Sequence, residues 1–481
     1  MSDVIARLAA IVGEHNVILG EEQAPFLTDW LGKYRGSALA VVRPGSVDEV
    51  SAVMALCAER DVPVVPQGGN TSLSGGATPD RTGEAVVLSL ARMNRVRAVD
   101  PVGNTITVDA GIVLANVHGA ASAADRFFPL SLGAEGSCTI GGNLAANAGG
   151  VAVLRYGTMR ELTLGLEVVL SDGRVWDGLT ALRKDNTGYA LRDLFIGSEG
   201  TLGVITGAVL KLFPAPRARA TAFVAVQDVD AALALLSIVR ARGGDRLTAF
   251  EFMTGDTLAL ILKHVPGARL PLDTLPPAAV LMELSDTDDE AALIGRLEEV
   301  LASTIESGLV LDGALAQDGT QSKAFWRIRE GVSEALVREG VAAKHDVSVP
   351  TAALGTFVAL ADAGVKAALP GVRPIVFGHL GDGNLHYNLL PPLALDKGRW
   401  IAEMPALTRL VHDETRRQRG SISAEHGIGQ LRVSEMERCK SPIELDLMAS
   451  IKALLDPRGR LNPGKLLPGT RTTTDLARGA N

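Results

Sequence analysis

The chain has 481 residues and a formal net charge of -8, with 47% hydrophobic and 21% charged residues. That length exceeds one ordinary core, so two or three globular domains are expected. The negative balance, without a long basic run, excludes nucleic acid as a partner.

Three cysteines, Cys57, Cys138 and Cys439, lie far apart without CxxC spacing. A disulfide framework is therefore not expected, and a reducing compartment is. The N-terminus lacks a basic stretch followed by a long apolar run, so no signal peptide is indicated. No run of about 18 apolar residues suggests a transmembrane helix. A cytoplasmic protein is the expectation.

Residues 1 to 35 read as a helical lead-in. Ser46 and Glu49 make a capping-box pattern, and Val50, Val53, Met54 and Cys57 follow at helical spacing. A short strand at 62 to 66 runs into a first glycine cluster at 67 to 76. Strands are predicted at 85 to 90 and 105 to 110. A second cluster spans 132 to 150 and a third 197 to 203. Residues 213 to 217, with Pro214 and Pro216, read as a linker. Beyond it, strands at 223 to 226 and 279 to 284 alternate with helices at 229 to 242 and 288 to 302. This predicts an α+β sheet with helices on one face. Trp326 opens a predicted helix, 343 to 350 reads as a strand, and a helix from about Pro405 to Arg419 ends in cations and Gly420. A turn-rich segment from 456 closes the chain.

The densest chemistry lies at Gly378 to Asn388. A Gly-Asp-Gly turn between two extended arms predicts a β-hairpin. His379 ends one arm. On the other, Asn384, His386 and Asn388 share one face. Two imidazoles held together this way can bind a divalent metal. Ser423 to Gly429 adds Glu425 and His426. Only eight histidines exist, and three fall in these two motifs. The glycine clusters permit backbone N–H groups to approach an anion closely, as a dinucleotide pyrophosphate requires. No GxGxxG or P-loop signature is present. Arg329 and Lys344 are cations suited to carboxylates, and Ser333 lies one helical turn after Arg329.

In this order the motifs resemble the FAD-dependent D-2-hydroxyacid dehydrogenases of the vanillyl-alcohol-oxidase/p-cresol-methylhydroxylase flavoprotein superfamily. The carriers are Pro66 to Thr71, Gly136 to Asn143, Arg183 to Tyr189, Ile196 to Gly203, Gly378 to Asn388 and Ala424 to Gly427. The resemblance covers roughly residues 36 to 468. It implies an α+β fold, with a PCMH-type FAD-binding domain of two α/β subdomains (1–217), a ferredoxin-like α+β cap for substrate and metal (218–455), and a segment (456–481) returning to the first domain.

By the same resemblance, FAD is held by Pro66, Gln67, Gly68, Gly69, Asn70 and Thr71 in the first cluster. Pro129, Leu130, Gly133, Gly136, Ser137, Gly141, Gly142 and Asn143 would hold it around the second, followed by Asn147, Gly149, Tyr156 and Gly157. Glu199, Gly200, Gly203, Val204 and Ile205 would serve from the third, and Asn462 from the closing segment. Metal ligands would be His379, His386 and Glu425, with zinc the expected ion. His426 would be the catalytic base, and Arg329, Ser333, Lys344 and Asn388 would meet substrate. Asn70 stands about where some relatives carry a FAD-linking His, so FAD is expected to be non-covalent. Ser333 stands where Thr is expected, removing one methyl from the pocket.

The implied reaction is oxidation of a D-2-hydroxyacid to the 2-oxoacid, D-2-hydroxyglutarate to 2-oxoglutarate first. D-lactate dehydrogenase or glycolate-oxidase-subunit-like activity is the alternative. Electron-transfer flavoprotein, a quinone and a soluble cytochrome all stay open as acceptor, and a homodimer stays open. A metal hydrolase would leave the glycine clusters unexplained. A non-catalytic flavin module would leave His426 and the metal motif unexplained.

Overall fold

A computed structural model of the chain describes residues 2–469, so the end of the closing segment, 470–481, lies outside the described residues. Two compact units divide the chain. Met1–Gly149, Gly157–Ala215 and Glu425–Asn481 form the first, and Gly150–Tyr156 with Pro216–Ala424 the second. The stretch 425–455, expected with the cap, thus groups with the first unit.

In the first unit, Ser46 caps the helix Val47–Arg60, its hydroxyl accepting from the Glu49 amide at 3.2 Å. The Glu49 carboxylate reaches back to the amide of Gly45 at 2.7 Å, one residue earlier than the capping-box pattern predicts. The helix buries Val50, Val53, Met54, Leu56 and Cys57. It connects parallel strands Ala40–Val42 and Val64–Gln67, which flank Val86–Ser89 in a four-stranded sheet. A second, antiparallel sheet runs in the order Val96–Asp100, Thr105–Asp109, Val204–Lys211, Thr163–Val169, Val175–Gly178. It contains a buried carboxylate, Asp109, satisfied by Arg95 at 2.9 Å and Arg97 at 2.6 Å. The chain's last turns return to the first sheet, where Leu461 bridges to Val64. Lys452 secures them, its ammonium donating to the carbonyls of Thr201 at 2.7 Å and Leu461 at 2.8 Å.

The second unit is built on seven antiparallel strands in the order Asp312–Leu315, Ala218–Val226, Ala278–Asp286, Leu247–Thr254, Arg373–His379, Asn384–Leu390, Asp346–Ser348. Helices cover both faces, not one. Val229–Gly243, Glu290–Glu306, Leu354–Ala368 and Lys397–Arg417 bury apolar residues against one side. Gly255–His264, Gly319–Glu330 and Val332–Glu339 cover the other. This is why the strands read as continuous apolar runs: both of their faces are interior.

The helix expected from Pro405 begins earlier, at Lys397, capped by Asp396. Proline within a helix costs about 3 kcal/mol. The first turns are nonetheless anchored by Trp400, wholly buried with its indole N–H donating to the Val341 carbonyl at 2.7 Å. One described segment, Thr351–Ala368, is long and apolar enough to cross a membrane. It buries Leu354, Phe357, Ala361 and Val365 at helical spacing in the core, as a packed amphipathic helix does.

Glu339 closes the helix Val332–Glu339, an end where the backbone dipole disfavours an anion. Lys263 and Arg373, each at 2.8 Å, and His264 at 2.5 Å surround its carboxylate. The hydrogen bond from Lys263, then that of His264, hold its carboxyl down from 4.5 to about 2. A depressed folded-state value means the stabilisation is complete above the unfolded value and lost as pH falls through the folded one. Glu339→Gln should lower the unfolding free energy at neutral pH by about 1–3 kcal/mol. In urea unfolding, the gap between the two proteins should close between about pH 5 and about pH 2. A gap that stays constant over that range rules this cluster out as its source.

Candidate active site

The predicted hairpin forms. Strand Arg373–His379 turns through a short 3-10 segment, Leu380–Asp382, into Asn384–Leu390. Gly383 closes the turn at φ 87°, and a Cβ there would come within 2.3 Å of the Val349 carbonyl oxygen, so only glycine fits. The register sets Phe377 opposite His386. Their rings lie 4.8 Å apart, and those of His379 and His386 lie 6.1 Å apart. The two imidazoles therefore share one face, as the alternation requires.

Beside them lies a residue the motifs did not name. Glu251, on the neighbouring strand Leu247–Thr254, is 1% exposed. One carboxylate oxygen is 2.6 Å from His379 Nδ1, and the other accepts from Arg329 Nε at 2.7 Å. Burial alone would raise this carboxyl, but the charges of His379 and Arg329 outweigh it and hold the group well below the usual carboxylate range. Arg329 also lies over the Phe377 ring, 5.0 Å from its centre. Its terminal nitrogens have no hydrogen-bond partner among the described residues. A short strand, Asp346–Ser348, places Asp346 Oδ1 3.8 Å from His386 Nδ1.

The remaining expected substrate residues are less concentrated. Asn388 is buried, its amide oxygen accepting from the His345 N–H at 3.2 Å. Lys344 precedes that histidine and has no ion-pair partner among the described residues. It counts as exposed by surface area, yet burial around its ammonium pushes it below lysine's ordinary value. Ser333 is exposed in the first turn of Val332–Glu339. Arg329 lies in the last turn of the preceding helix, Gly319–Glu330, and Gly331 separates the two helices. An imidazole pair with a buried carboxylate behind one ring is a donor set that suits a divalent ion.

In the first unit the glycine clusters pack closely against each other. A Cβ on Gly68 would fall 2.3 Å from Thr139 Oγ1, and one on Gly69 2.0 Å from the Ser137 carbonyl oxygen. At Gly133 and Gly136, by contrast, no protein atom lies within 4 Å of such a Cβ. Packing therefore does not require glycine at those two positions, and the space beside them is open. Thr139 Oγ1 and Asn462 Oδ1 are among the buried polar atoms that lack a hydrogen-bond partner among the described residues. Among the described residues, nine that are not glycine have positive φ, and four of them (Asn70, Asn147, Glu199, Asn462) belong to the cofactor set read from the sequence. Strained backbone of this kind concentrates at ligand sites. These features fit a cofactor bearing phosphates.

Several of these side chains hold the loops instead of facing outward. Gln67 donates to the carbonyls of Phe26 and Ala77, both at 2.9 Å. Asn70 donates to Thr28 O at 2.8 Å, and Asn147 Oδ1 accepts from the Arg160 amide at 3.0 Å. Tyr156 falls in the second unit.

Glu199 acts similarly on the His426 loop. Its carboxylate accepts the amides of Ile428 and Gly429, each at 2.7 Å, while Ser74 Oγ donates to the His426 carbonyl at 3.0 Å. Burial, the largest influence, pushes the Glu199 carboxyl up. An extended loop would turn Glu425 and His426 to opposite sides. This loop bends through 424–426, and Glu425 Oε1 comes to 3.6 Å from His426 Nε2.

Comparison with known proteins gives the family. The family of FAD linked oxidases, C-terminal domain, matches residues 215–466, and the FAD binding domain family matches 38–178. The chain belongs to the FAD-linked oxidases. A rice protein named probable D-2-hydroxyglutarate dehydrogenase, mitochondrial, is 41% identical over 97% of this chain and 82% of its own length. A Xanthomonas citri D-2-hydroxyglutarate dehydrogenase is 41% identical over 94% of both chains. The solved structure of p-cresol methylhydroxylase with substrate bound superposes with TM-score 0.74 over 96% of both chains at 15% identity, which is likeness of fold alone.

This FAD-linked oxidase is therefore a FAD-dependent dehydrogenase of the resembled superfamily, with the α+β fold expected. The cytoplasmic expectation is corrected. The rice relative's name is mitochondrial, as are those of the Arabidopsis and Bos taurus relatives, though the Xanthomonas name states no compartment. Sequence reasoning missed Glu251, although a signal existed: a carboxylate between Phe250 and Phe252 in an apolar strand must find buried partners.

Removing the Glu199 carboxylate should loosen the His426 loop locally. In Glu199→Ala, amide hydrogen exchange at Ile428 and Gly429 should quicken roughly 10- to 100-fold, the equivalent of about 1–3 kcal/mol. Unchanged exchange at both amides would mean that the loop is held by other contacts.

Proposed function

We propose that this FAD-linked oxidase oxidises D-2-hydroxyglutarate to 2-oxoglutarate, as the names of its rice and Xanthomonas relatives suggest. The observation that carries the choice is a pair of cations without anionic saturation. Arg329 keeps its terminal nitrogens unpaired, and Lys344 has no counter-ion among the described residues. A dicarboxylate supplies one anion for each, whereas a monocarboxylate such as D-lactate leaves one cation unpaired.

In this reading His379, His386 and Glu425 hold a divalent ion, zinc by preference for two imidazoles and a carboxylate. When bound, FAD supplies the acceptor for the α-hydrogen and its electron pair, and the divalent ion supplies Lewis acidity at the hydroxyl oxygen. His426 takes the hydroxyl proton on its imidazole. Glu425, 3.6 Å away, stabilises the imidazolium so formed. Arg329 grips a carboxylate with its fork and fixes the carbon that loses hydrogen. Lys344 takes the distal carboxylate, and Asn388 lines the pocket. Ser333 keeps a hydroxyl for hydrogen bonding. Reoxidation by an electron-transfer flavoprotein or a quinone completes the cycle.

Anaerobic bleaching of the flavin by a panel of D- and L-2-hydroxyacids tests this. D-2-hydroxyglutarate should reduce it with the highest specificity constant. In the same assay Lys344→Ala should slow hydroxyglutarate more than lactate. His426→Ala should lower the reduction rate roughly 10² to 10⁴-fold with flavin retained. A higher specificity constant for D-lactate in the unmutated protein would favour the lactate reading.

FAD is held non-covalently in this reading. The motive is Asn70, whose amide is occupied by the carbonyl of Thr28 where a linking imidazole would be needed. Acid precipitation should leave the yellow colour in the supernatant, and colour in the pellet would refute it.

A further inference from the structure

The hydrogen bonds of Glu251 have a consequence for two neighbouring groups at once. An ionised carboxylate only accepts, so the 2.6 Å contact requires the proton on His379 Nδ1. In the neutral ring, the form a ligand must take, Nε2 is then the nitrogen carrying the lone pair and able to bind a metal. The other carboxylate oxygen takes Arg329 Nε–H at 2.7 Å. That leaves the terminal edge of the guanidinium, with its two NH₂ groups, for an incoming carboxylate. The Phe377 ring, 5.0 Å beneath the guanidinium, supports the same orientation.

We propose that Glu251 is the positioning residue that sets which nitrogen His379 offers as a ligand and which edge Arg329 offers to a substrate carboxylate. This rests on the function proposed above. The carboxylate touches neither metal nor substrate. It acts through two residues that do, 78 and 128 positions away in the sequence. A single charge thereby couples metal capture to carboxylate recognition.

Glutamine at this position is a sharp probe because it cannot satisfy both neighbours. With its oxygen toward His379, its NH₂ group faces the Arg329 Nε–H donor. With its oxygen toward Arg329, its NH₂ group faces His379 Nδ1, which must then become the acceptor and move the proton to Nε2. The first orientation releases Arg329, and the second removes the metal-ligating lone pair. Each has its own readout.

The test compares FAD-loaded wild-type protein, Glu251→Gln and Arg329→Lys, each with zinc and after zinc removal. Long-range ¹H–¹⁵N spectra of histidine-labelled, zinc-free protein should report His379 in the Nδ1–H form in the wild type and in Arg329→Lys. In Glu251→Gln that form should be lost or mixed. Zinc affinity, measured against a competing chelator, should fall roughly 10- to 100-fold in Glu251→Gln and stay near wild type in Arg329→Lys. KM for D-2-hydroxyglutarate should rise in both variants. The wild-type tautomer needs no variant, so a Glu251→Gln that fails to fold does not remove the test: an Nε2–H tautomer in the wild type overturns the proposal. So does a folded Glu251→Gln with unchanged zinc affinity and unchanged KM. A wild type that neither holds zinc nor reduces its flavin with hydroxyacids would instead sink the underlying function.

Discussion

A carboxylate buried in the middle of a sheet constrains everything around it. Glu251 is 1% exposed, and an isolated ion there would be far too costly to keep. Its strand must therefore pair where cations can reach it. The hairpin arm ending in His379 supplies one partner and the helix carrying Arg329 another. Glu251 is itself almost out of reach of solvent, so water offers no substitute for these partners. Such a pair adds little net stability relative to a well-packed apolar core, but breaking it is expensive. What it contributes is geometry.

The first unit applies the same logic with backbone instead of charge. Its glycine clusters approach so closely that a single Cβ at Gly68 or Gly69 would collide with the opposite loop. Asn70, Asn147, Glu199 and Asn462 accept left-handed backbone to keep the loops in place. Each is tied down by its own side chain: Asn70 to Thr28, Asn147 to Arg160, Glu199 to the amides of Ile428 and Gly429, and Asn462 to the carbonyls of Gly76 and Glu199. Strain at these positions persists because several contacts over-determine it.

The sequence disclosed local features well and long-range ones poorly. The hairpin was legible because period-two alternation and a glycine turn are encoded within eleven residues. The cap of Val47–Arg60 was legible because Ser46 and Glu49 are three apart. Glu251 was not, since its partners lie 78 and 128 residues away and no local pattern reports them. The convergence of Glu425 and His426 was hidden because a bend, not an extended strand, carries them. The start of Lys397–Arg417 was misplaced because Pro405 looks like a first-turn residue, and only the burial of Trp400 reveals the earlier turns. On the second face of the sheet Gly255–His264 went unassigned, and the helix predicted to open at Trp326 instead begins at Gly319 and ends at Glu330.

The order in which the chain visits its two units bears on how the protein is made. The chain crosses between them four times, at 149/150, 156/157, 215/216 and 424/425. Most of the second unit, Pro216–Ala424, is one continuous stretch and can assemble as it leaves the ribosome. The first unit cannot. The strand containing Val64 waits for Leu461, and the Thr201 carbonyl waits for Lys452, some 250 residues later in synthesis. Contacts of such sequence separation form slowly. The unit begun first is thus completed last, and the carbonyl of Gly76 in its first glycine cluster gains its partner, Asn462, only then.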